Sequence, residues 1–378
     1  MHDFILKEIT NADFEKELSD IGFDKSYIKK ARDKFEHKNI KIFGLTCAQA
    51  NILKQTAIST GTDCATHREV ITGKIETSDC ILTGSISQFE KIAKKLEHQP
   101  FGLKKLGEML ADVKSFRKNT CKIAGILNLT KDSFSDGGEF YEFDSAIEHL
   151  NQMIKDGADI IDIGAESTRP FSCGVSDEEQ LKYLLPVLNY IKENNIKVPI
   201  SIDTRSSYVA QKCLELGASI INDVSGFDYD ENMPDIAAKY NAKVVIQHSN
   251  GTPETMQENP QYKNLIDEIY LGLKRKIDFA VSKGVSRENI IIDPGIGFGK
   301  TRRDNFEIIN RIEEFYGLGC PVMLGISRKS LLNMPDEDNF TKDIYTTALN
   351  TLAVTKKVDC IRVHNVKMHK KLLEMLNI

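Results

Sequence analysis

Eight short apolar runs, each ending in polar residues, recur through the last two-thirds of the sequence. Segments long enough to be helices separate the runs, and this alternation is typical of a (β/α)8 barrel, also called a TIM barrel. The polar residues at the ends of the runs are Asn128, Glu166, Ser167, Thr168, Arg169, Asp203, Asn222, Asp223, His248, Asp293, Arg328, Lys329, Arg362 and His364. Because such barrels build their active sites at the carboxyl ends of their strands, the positions of these residues alone predict a site.

Length and charge favour an enzyme of two parts that acts on small molecules. At 378 residues the chain exceeds the ~250 residues of a typical barrel by about one small domain. Its net charge of −5 gives no reason to expect nucleic acid or a membrane surface as a partner, because such binding needs a basic surface. The first residues become charged too early for a secretory signal, and no apolar stretch approaches the ~20 residues that cross a bilayer. A cytoplasmic protein is therefore predicted.

The chain is predicted to divide near residue 118. The stretch 110–120 is charged, lacks strand character and directly precedes the first apolar run. Upstream, 41–45 and 79–85 have the composition of strands, and segments with apolar residues at helical spacing follow them. We expect a smaller α/β extension over 1–118, to which the sequence assigns no role, and a catalytic barrel over 119–378.

The glycine-rich segment DPGIGFGK, residues 293–300, does not match a nucleotide-binding loop. A Walker A loop would need glycine where the chain has Pro294, and the glycine spacing is one residue short of the dinucleotide fingerprint. Glycines at this density allow the backbone to run close to a ligand, which we expect Asp293 to hold. A flexible loop without a ligand is the alternative.

Two of the predicted strand ends carry basic residues suited to an anion. The segments SRKS (327–330) and RVH (362–364) follow the seventh and eighth apolar runs, where many barrels bind phosphate. Arg362 and His364 alternate along a strand and therefore share one face. Each basic residue alone is more often a solvated charge or an ion-pair partner, but together they favour a phosphate or pyrophosphate site.

A second group of strand-end residues could bind a flat heterocycle rich in amide groups. Asp203, Asn222 and Asp293 end the third, fourth and sixth runs, so their side chains can converge in the mouth of a barrel. A carboxylate accepts two hydrogen bonds side by side, and a carboxamide offers both a donor and an acceptor. This combination matches a guanidine-like ring edge, although each residue alone could be an ordinary turn former.

Seven segments together resemble the successive motifs of the dihydropteroate synthase family. They are GILNLTKDSFSDGG (125–138), DIIDIGAESTRP (159–170), ISIDT (200–204), IINDVSG (220–226), DPGIGFGK (293–300), GISRKS (325–330) and RVH (362–364). The match is in order and covers essentially all of 119–378. This family joins 4-aminobenzoate to a dihydropterin pyrophosphate and releases pyrophosphate in folate synthesis, and sulfonamides mimic its 4-aminobenzoate substrate.

The resemblance implies roles for individual residues of this chain. The pterin would be held by Asp203, Asn222, Asp293 and Lys329. The magnesium ion that accompanies the pyrophosphate would be bound by Asn128, and the anion site would consist of Thr168, Arg169, Arg362 and His364. The 4-aminobenzoate would lie against Phe134, Pro170, Phe298, Lys329 and Ser330. Catalysis would depend on Asp136, Arg169, Lys329, Arg362 and His364.

Three departures from the family pattern accompany the resemblance. Lys131 stands where the family usually has proline, Asn365 stands where aspartate is usual, and the fifth run continues as QHSNG (247–251) instead of a methionine-flanked histidine. None of these changes removes a residue that the resemblance places in the site. His248 is interpreted as structural rather than catalytic.

Two other functions are compatible with parts of the pattern. A pterin-dependent methyltransferase would share the barrel and the pterin-binding carboxylates, but it would have no use for a pyrophosphate site or the SFSDGG loop. A non-catalytic homologue that binds pterin is the rival from a different class, and the retained set of polar residues argues against it. The resemblance also implies a homodimer of barrels.

Overall fold

The computed structural model describes residues 6–7, 9, 13–114, 120–129, 139–166, 175–251, 260–329 and 337–378. The chain forms two compact units, Met1–Arg117 and Lys118–Ile378. The first is a small α/β unit and the second is a barrel. Among the described residues, no helix combines the length and the apolar character that crossing a membrane requires.

The N-terminal unit contains a three-stranded antiparallel sheet in the order β1, β3, β2. Its elements are α1 (Phe14–Asp20), α2 (Ile28–Arg32), β1 (His37–Thr46), α3 (Cys47–Ile58), β2 (Cys64–Thr66), β3 (Thr77–Ser85), α4 (Ile86–Leu96) and α5 (Leu103–Ala111). Exposed and buried residues alternate along most of β3, so one face of the sheet is covered. The core that covers it includes Leu53, Leu82, Phe89 and Ile92.

The barrel unit alternates eight parallel strands with helices. Its strands are β4 (Lys122–Asn128), β5 (Ile160–Gly164), β6 (Ile200–Asp203), β7 (Ile220–Asp223), β8 (Lys243–Gln247), β9 (Ile290–Asp293), β10 (Met323–Leu324) and β11 (Cys360–Val363). Its helices are α6 (Glu139–Lys155), α7 (Asp177–Glu193), α8 (Ser207–Glu215), α9 (Met233–Lys239), α10 (Leu265–Ser282), α11 (Arg302–Asn310), α12 (Asn339–Thr355) and α13 (Val366–Leu376). Side chains of Ser176, Ser206, Asn264, Thr301, Asp338 and Asn365 cap helix N-termini.

The sheet runs in the order β10, β11, β4, β5, β6, β7, β8, β9 and closes on itself. A parallel bridge between Ile292 and Val322 joins the two ends, and the Ile292 N–H donates to the Pro321 carbonyl at 2.9 Å. The predicted (β/α)8 barrel with a smaller α/β extension is therefore confirmed.

Strand register places several polar side chains in one row at the carboxyl edge of the barrel. Asn128 lies opposite Gly164, Gly164 opposite Asp203, and Asp203 opposite Asn222. On β5, Ile160 lies two residues before Asp162, and on β7, Ile220 lies two residues before Asn222. Both isoleucines belong to one buried apolar cluster. Because side chains alternate between faces of a strand, an apolar layer lies beneath a polar layer on the same face.

Candidate active site

Two carboxylates and a carboxamide from neighbouring strands surround one guanidinium group. Arg362 donates from Nε to Asp162 Oδ2 at 2.5 Å and from Nη2 to Asp203 Oδ2 at 2.5 Å. Asn222 Nδ2 donates to the same Asp162 oxygen at 3.1 Å. The side chains of Asp162 and Asp203 are only 2% and 7% exposed, so β5, β6, β7 and β11 together enclose a buried ion-pair network.

Asp162 occupies the centre of this network, although the sequence patterns do not single it out. Its second oxygen, Oδ1, is buried and has no hydrogen-bond partner among the described residues. A buried carboxylate oxygen without a donor costs free energy, so this atom suits a ligand N–H or a water molecule. The signal available in the sequence is a single charge within the apolar run IIDIG.

Burial strongly affects the ionisation of Asp203. It raises the pKa of this carboxyl group to about 7, while Arg362 opposes the shift and Asp162 reinforces it. The site therefore holds two carboxylates close to one cation, and their combined charge depends on pH near neutrality.

A second cluster joins β9 to the segment that follows β10. Lys329 donates from Nζ to the Ile296 carbonyl at 2.7 Å, and the same ammonium group lies 4.6 Å from the centre of the Phe298 ring. Asp293 Oδ1 accepts a hydrogen bond from the Gly295 N–H at 2.7 Å. Burial lowers the pKa of Lys329 to about 8 and raises the pKa of Asp293.

Gly325 marks where the two clusters meet. A Cβ atom at this position would lie 3.6 Å from Lys329 Nζ, 3.9 Å from Asp293 Oδ2 and 4.0 Å from Arg362 Cβ. The absence of a side chain therefore leaves space between the ammonium group, the carboxylate and the arginine.

The turn after β9 runs against the end of β8. Gly295 has a φ of +74°, and a Cβ atom there would lie 1.9 Å from the His248 carbonyl oxygen. Gly299 has a φ of +65°, and its Cβ would lie 2.4 Å from the Asn250 carbonyl oxygen. Both positions therefore require glycine, for backbone conformation and for space. The glycines therefore let this turn run close to the end of β8, and the predicted approach to a ligand held by Asp293 stays a prediction.

His364 is paired with a hydroxyl group. Its Nδ1 lies 2.9 Å from Ser327 Oγ, and its backbone N–H donates to the same oxygen at 3.2 Å. Burial, with the nearby Arg328 and Arg362, lowers the pKa of His364 to about 3. Without a ligand the imidazole is therefore neutral at physiological pH, and it offers a hydrogen bond to an anion site.

Arg328 and Asn365 meet at one carboxylate. Arg328 adopts a left-handed backbone with φ 56° and donates to both oxygens of Asp343, at 2.7 and 2.8 Å. Asn365 Nδ2 donates to Asp343 at 3.1 Å, while its Oδ1 accepts from the Met368 N–H and caps α13. An aspartate at position 365 could cap the helix but would place a second carboxylate beside Asp343, so the departure from the family pattern has a local physical reason.

Asn128 ends β4 with a carboxamide that forms no hydrogen bond with the described residues. A carboxamide oxygen is a hard donor of the kind that Mg²⁺ accepts, and Mg²⁺ usually takes its other ligands from water and phosphate. Within the described part of the chain, no group of three His, Cys, Asp or Glu side chains could hold a metal ion. Asn128 thus offers a carboxamide oxygen at the end of β4, and its role as a magnesium ligand stays a prediction.

The structure brings together most of the predicted residues that it describes. Arg362 contacts Asp203, and the same network includes Asn222 through Asp162. Gly325 links this network to Asp293 and Lys329, and Phe298 lies against Lys329. His364 contacts Ser327 instead of a member of this cluster. Asn128 lies in the same row of strand residues as Asp203 and Asn222 but forms no hydrogen bond with the described members of the cluster. Outside the described residues lie Lys131, Phe134, Asp136, Thr168, Arg169, Pro170 and Ser330.

Comparison with known proteins gives consistent results for the barrel. The family described as "Pterin binding enzyme" matches residues 124–364. Dihydropteroate synthase of Clostridium beijerinckii is 44% identical over 260 residues, which are 68% of this chain and 93% of that protein. A crystal structure of dihydropteroate synthase from Clostridium difficile, determined with pteroic acid, is 38% identical with a TM-score of 0.64 and covers 70% of this chain and 98% of that one.

One relative extends the likeness beyond the barrel. A probable bifunctional folylpolyglutamate synthase/dihydropteroate synthase of Halobacterium salinarum is 36% identical over 354 residues, which are 89% of this chain and 42% of that protein. A match of this length exceeds the barrel unit and therefore includes part of the N-terminal unit. The family match, the identity to the clostridial synthase and the structural likeness agree, and the chain belongs to the dihydropteroate synthase family.

Proposed function

We propose that this chain condenses 4-aminobenzoate with 6-hydroxymethyl-7,8-dihydropterin pyrophosphate, giving 7,8-dihydropteroate and pyrophosphate in folate biosynthesis. The observation that carries the proposal is the buried network of Asp162, Asp203 and Asn222 around Arg362 at the barrel mouth. Carboxylates and a carboxamide oxygen held in this way offer the acceptors that the N–H groups at the edge of a pterin require. Family membership supports the same reaction.

The pterin would be bound by acceptors that the free protein leaves available. Asn222 uses its Nδ2 on Asp162, and its Oδ1 accepts no hydrogen bond from the described residues. Asp162 Oδ1 is also without a donor there. Asp293 would add a carboxylate from the opposite side, and Lys329 would donate to a ring carbonyl or nitrogen.

Arg362 would connect the pterin to the leaving group. Its Nε and Nη2 are committed to Asp162 and Asp203, whereas Nη1 forms no hydrogen bond with the described residues. The guanidinium can therefore hold two carboxylates and still direct one N–H group towards pyrophosphate. Thr168, Arg169 and the neutral imidazole of His364 are proposed to complete the anion site.

Magnesium would be held by Asn128 and by the pyrophosphate itself. When bound, the ion would neutralise part of the charge that develops on the departing pyrophosphate. The residues of the chain would act on the other reactants. Arg362 would hold the leaving group, Asp293 and Asp203 would orient the pterin, and Phe298 would form one wall for the aromatic amine.

The amine of 4-aminobenzoate is an adequate nucleophile, so no covalent intermediate with the protein is needed. If the bond to pyrophosphate breaks first, positive charge spreads into the pterin, and Asp136 is proposed to stabilise it. Ser330 is proposed to receive the carboxylate of 4-aminobenzoate, and Phe134 and Pro170 to enclose its ring. A sulfonamide would occupy the same place, and the dihydropteroate synthase of Yersinia pestis has been crystallised as a complex with a sulfonamide drug.

We also propose that the protein forms a homodimer through α12. This helix exposes the large apolar side chains of Phe340, Ile344 and Leu352, which are 62%, 47% and 45% exposed. Phe340 and Ile344 are four residues apart and Leu352 follows eight residues later, so the three side chains lie within about a third of the helix circumference and form a stripe that a second copy could cover. The cytoplasmic location stays a prediction from the sequence.

The direct test is release of pyrophosphate from dihydropterin pyrophosphate by the purified protein, with 4-aminobenzoate and magnesium present. We expect release to require all three additions and dihydropteroate to accumulate in equal amount. Omitting 4-aminobenzoate separates synthesis from simple hydrolysis. Pterin binding without release would favour the non-catalytic homologue, and methyl transfer from a methylated pterin would favour the methyltransferase.

A further inference from the structure

Lys300, at the end of the turn after β9, is a buried lysine that the proposed mechanism does not use. It is only 2% exposed, and it forms no ion pair with a carboxylate of the described residues. Its Nζ donates to the Phe298 carbonyl at 2.9 Å and to the His248 carbonyl at 3.3 Å. The same atom lies 3.2 Å from His248 Nδ1. Three partners from two segments therefore surround a single ammonium group.

Burial lowers the pKa of Lys300 to about 7, so its amine is only partly protonated near neutral pH and is held in place by its hydrogen bonds. Here they tie the end of β8, through His248, to the middle of the turn, through Phe298. The His248 N–H also donates to the Asp293 carbonyl at 2.9 Å, which continues the pairing of the two strands. Lys300 thus extends the attachment of β9 to β8 beyond the last strand hydrogen bond.

Other contacts limit where the turn can move. Tyr262 donates from its hydroxyl to the Gly299 carbonyl at 2.8 Å. On the far side of His248, a Cβ atom at Gly272 would lie 3.0 Å from the imidazole Cδ2, so α10 packs closely against the ring. The histidine that receives Lys300 is therefore itself held by its surroundings.

The point of attachment determines which part of the site Lys300 controls. Phe298 is 6% exposed, and its ring faces the Lys329 ammonium group at 4.6 Å. Its backbone carbonyl is the closest acceptor of Lys300. Asp293, by contrast, is oriented by β9 and by the Gly295 N–H of its own turn, and the charge of Lys300 affects its carboxyl group less than Lys329 and this N–H do. Loss of Lys300 should therefore disturb Phe298 more than Asp293.

We propose that Lys300 is a positioning residue that sets the place of the Phe298 ring, and hence the binding of 4-aminobenzoate, by clamping the turn 293–300 to His248. This inference rests on the proposed function, because it assigns the aminobenzoate wall to Phe298. Lys300 itself would contact neither substrate and would affect the binding of 4-aminobenzoate through Phe298.

The test compares four full-length proteins: the native enzyme, Lys300→Met, Phe298→Ala and the double variant. Methionine has a similar length and no donor, so it removes the clamp with little change in volume. We expect Lys300→Met to raise KM for 4-aminobenzoate by about tenfold, since small displacements of a positioning group have large effects. The calorimetric Kd for the pterin should change by less than about threefold, because Asp293 keeps its own support.

The double variant tests whether Lys300 acts through Phe298. Residues that act through one another give non-additive effects, so KM of the double variant should equal that of Phe298→Ala within about twofold. Lys300→Gln keeps an amide donor, so its KM for 4-aminobenzoate should lie between that of the native protein and that of Lys300→Met. This variant replaces Lys300→Met in the test if the methionine variant does not fold. Lys283→Met is the matched control, because Lys283 is an exposed lysine that pairs with Asp235 at 3.0 Å and lies over the ring of Phe279, away from the turn 293–300.

Each outcome decides the proposal. Additive effects of the two substitutions on KM would overturn it, as would an unchanged KM in folded Lys300→Met or Lys300→Gln. An equal loss of pterin affinity and aminobenzoate affinity would also overturn it, because that result indicates general disruption of the site. Failure of the proposed function would appear separately, as native protein that binds pterin but does not form dihydropteroate.

Discussion

The two units of this chain differ in what they bury. In the described residues of the N-terminal unit the buried polar side chains are the hydroxyl groups of Thr56, Ser78 and Ser85. The described residues of the barrel bury nine titratable side chains, most of them carboxyl groups: Asp162, Glu166, Asp203, Asp223, His248, Asp293, Lys300, Asp343 and His369. A buried charge opposes folding unless it is paired, whereas a buried hydroxyl costs little once it is bonded. The N-terminal unit therefore has the interior of a stable scaffold, and the barrel bears the energetic cost of a reactive site.

The largest effect should come from removing the cation at the centre of the barrel network. Arg362→Met would leave Asp162 and Asp203 buried without a counter-charge, and breaking a buried pair in this way costs about 3–5 kcal/mol. We expect pyrophosphate release to fall by about a thousandfold and unfolding in urea to move to lower concentration. Arg311→Met is the control, because this half-exposed arginine pairs with two surface glutamates and should cost about 1 kcal/mol or less. Similar losses in the two variants would remove the contrast between buried and exposed charge.

An intermediate effect is expected from Asp203, with a characteristic dependence on pH. Burial raises its pKa to about 7, so the carboxylate that accepts a pterin N–H is lost as the pH falls below that value. Pterin affinity should therefore rise between pH 6 and pH 8. Asp203→Asn should flatten this rise and lower affinity at pH 8 by about ten- to a hundredfold, the effect of one hydrogen bond to a charged group.

Calorimetry at both pH values measures this difference directly. The charged groups that face Asp203 are Arg362, Asp162, Glu166 and Lys329, and all four remain in the variant. The sign for stability is opposite to that for binding. The pKa of Asp203 in the folded protein lies above the ordinary value near 3.9, so between about pH 4 and pH 7 the folded protein binds more protons at this group than the unfolded chain does. The contribution of Asp203 to the free energy of unfolding therefore falls as the pH rises through this range. If the pterin affinity of Asp203→Asn rises equally steeply between pH 6 and pH 8, another group is responsible for the pH dependence.

The smallest effect on catalysis should come from the N-terminal core. Phe89 is 1% exposed, and Phe89→Ala should destabilise its own unit by about 3–5 kcal/mol. Because no residue proposed for the site lies before 119, kcat should stay within about twofold of the native value at a temperature where the barrel is folded. Limited proteolysis would report the loosened unit, and the pyrophosphate assay would report the site. A parallel fall in kcat would show that the N-terminal unit contributes to catalysis.

The fold was predictable because its signals are local. Each strand is a short apolar run and each run is followed by a helix-length segment, an alternation that predicts a parallel sheet, and eight such repeats favour closure into a barrel. The polar ends were predictable for the same reason, since every strand carboxyl end reaches one rim. The shortest strand, Met323–Leu324, was still recognisable because its run PVML is apolar throughout.

The contacts that organise the site were not predictable, because they join residues far apart in sequence. Arg362 and Asp162 are 200 positions apart, and nothing local to either segment indicates their pairing. Lys300 resembles part of a phosphate-binding motif, but its partner is a histidine 52 residues earlier. The charge of His364 also depends on burial and on two arginines, so the sequence could suggest a basic residue but not its neutral state.

The turn 293–300 has a consequence for inhibitors and for the mutations that overcome them. Gly295 and Gly299 cannot accept a side chain without a collision against backbone carbonyls, and a flexible neighbour cannot move aside to relieve it. Amino-acid substitutions at these two positions should therefore yield inactive protein instead of resistant protein. An inhibitor that draws its affinity from the backbone of this turn would face few escape routes there, whereas one that depends on exposed loop side chains would face many.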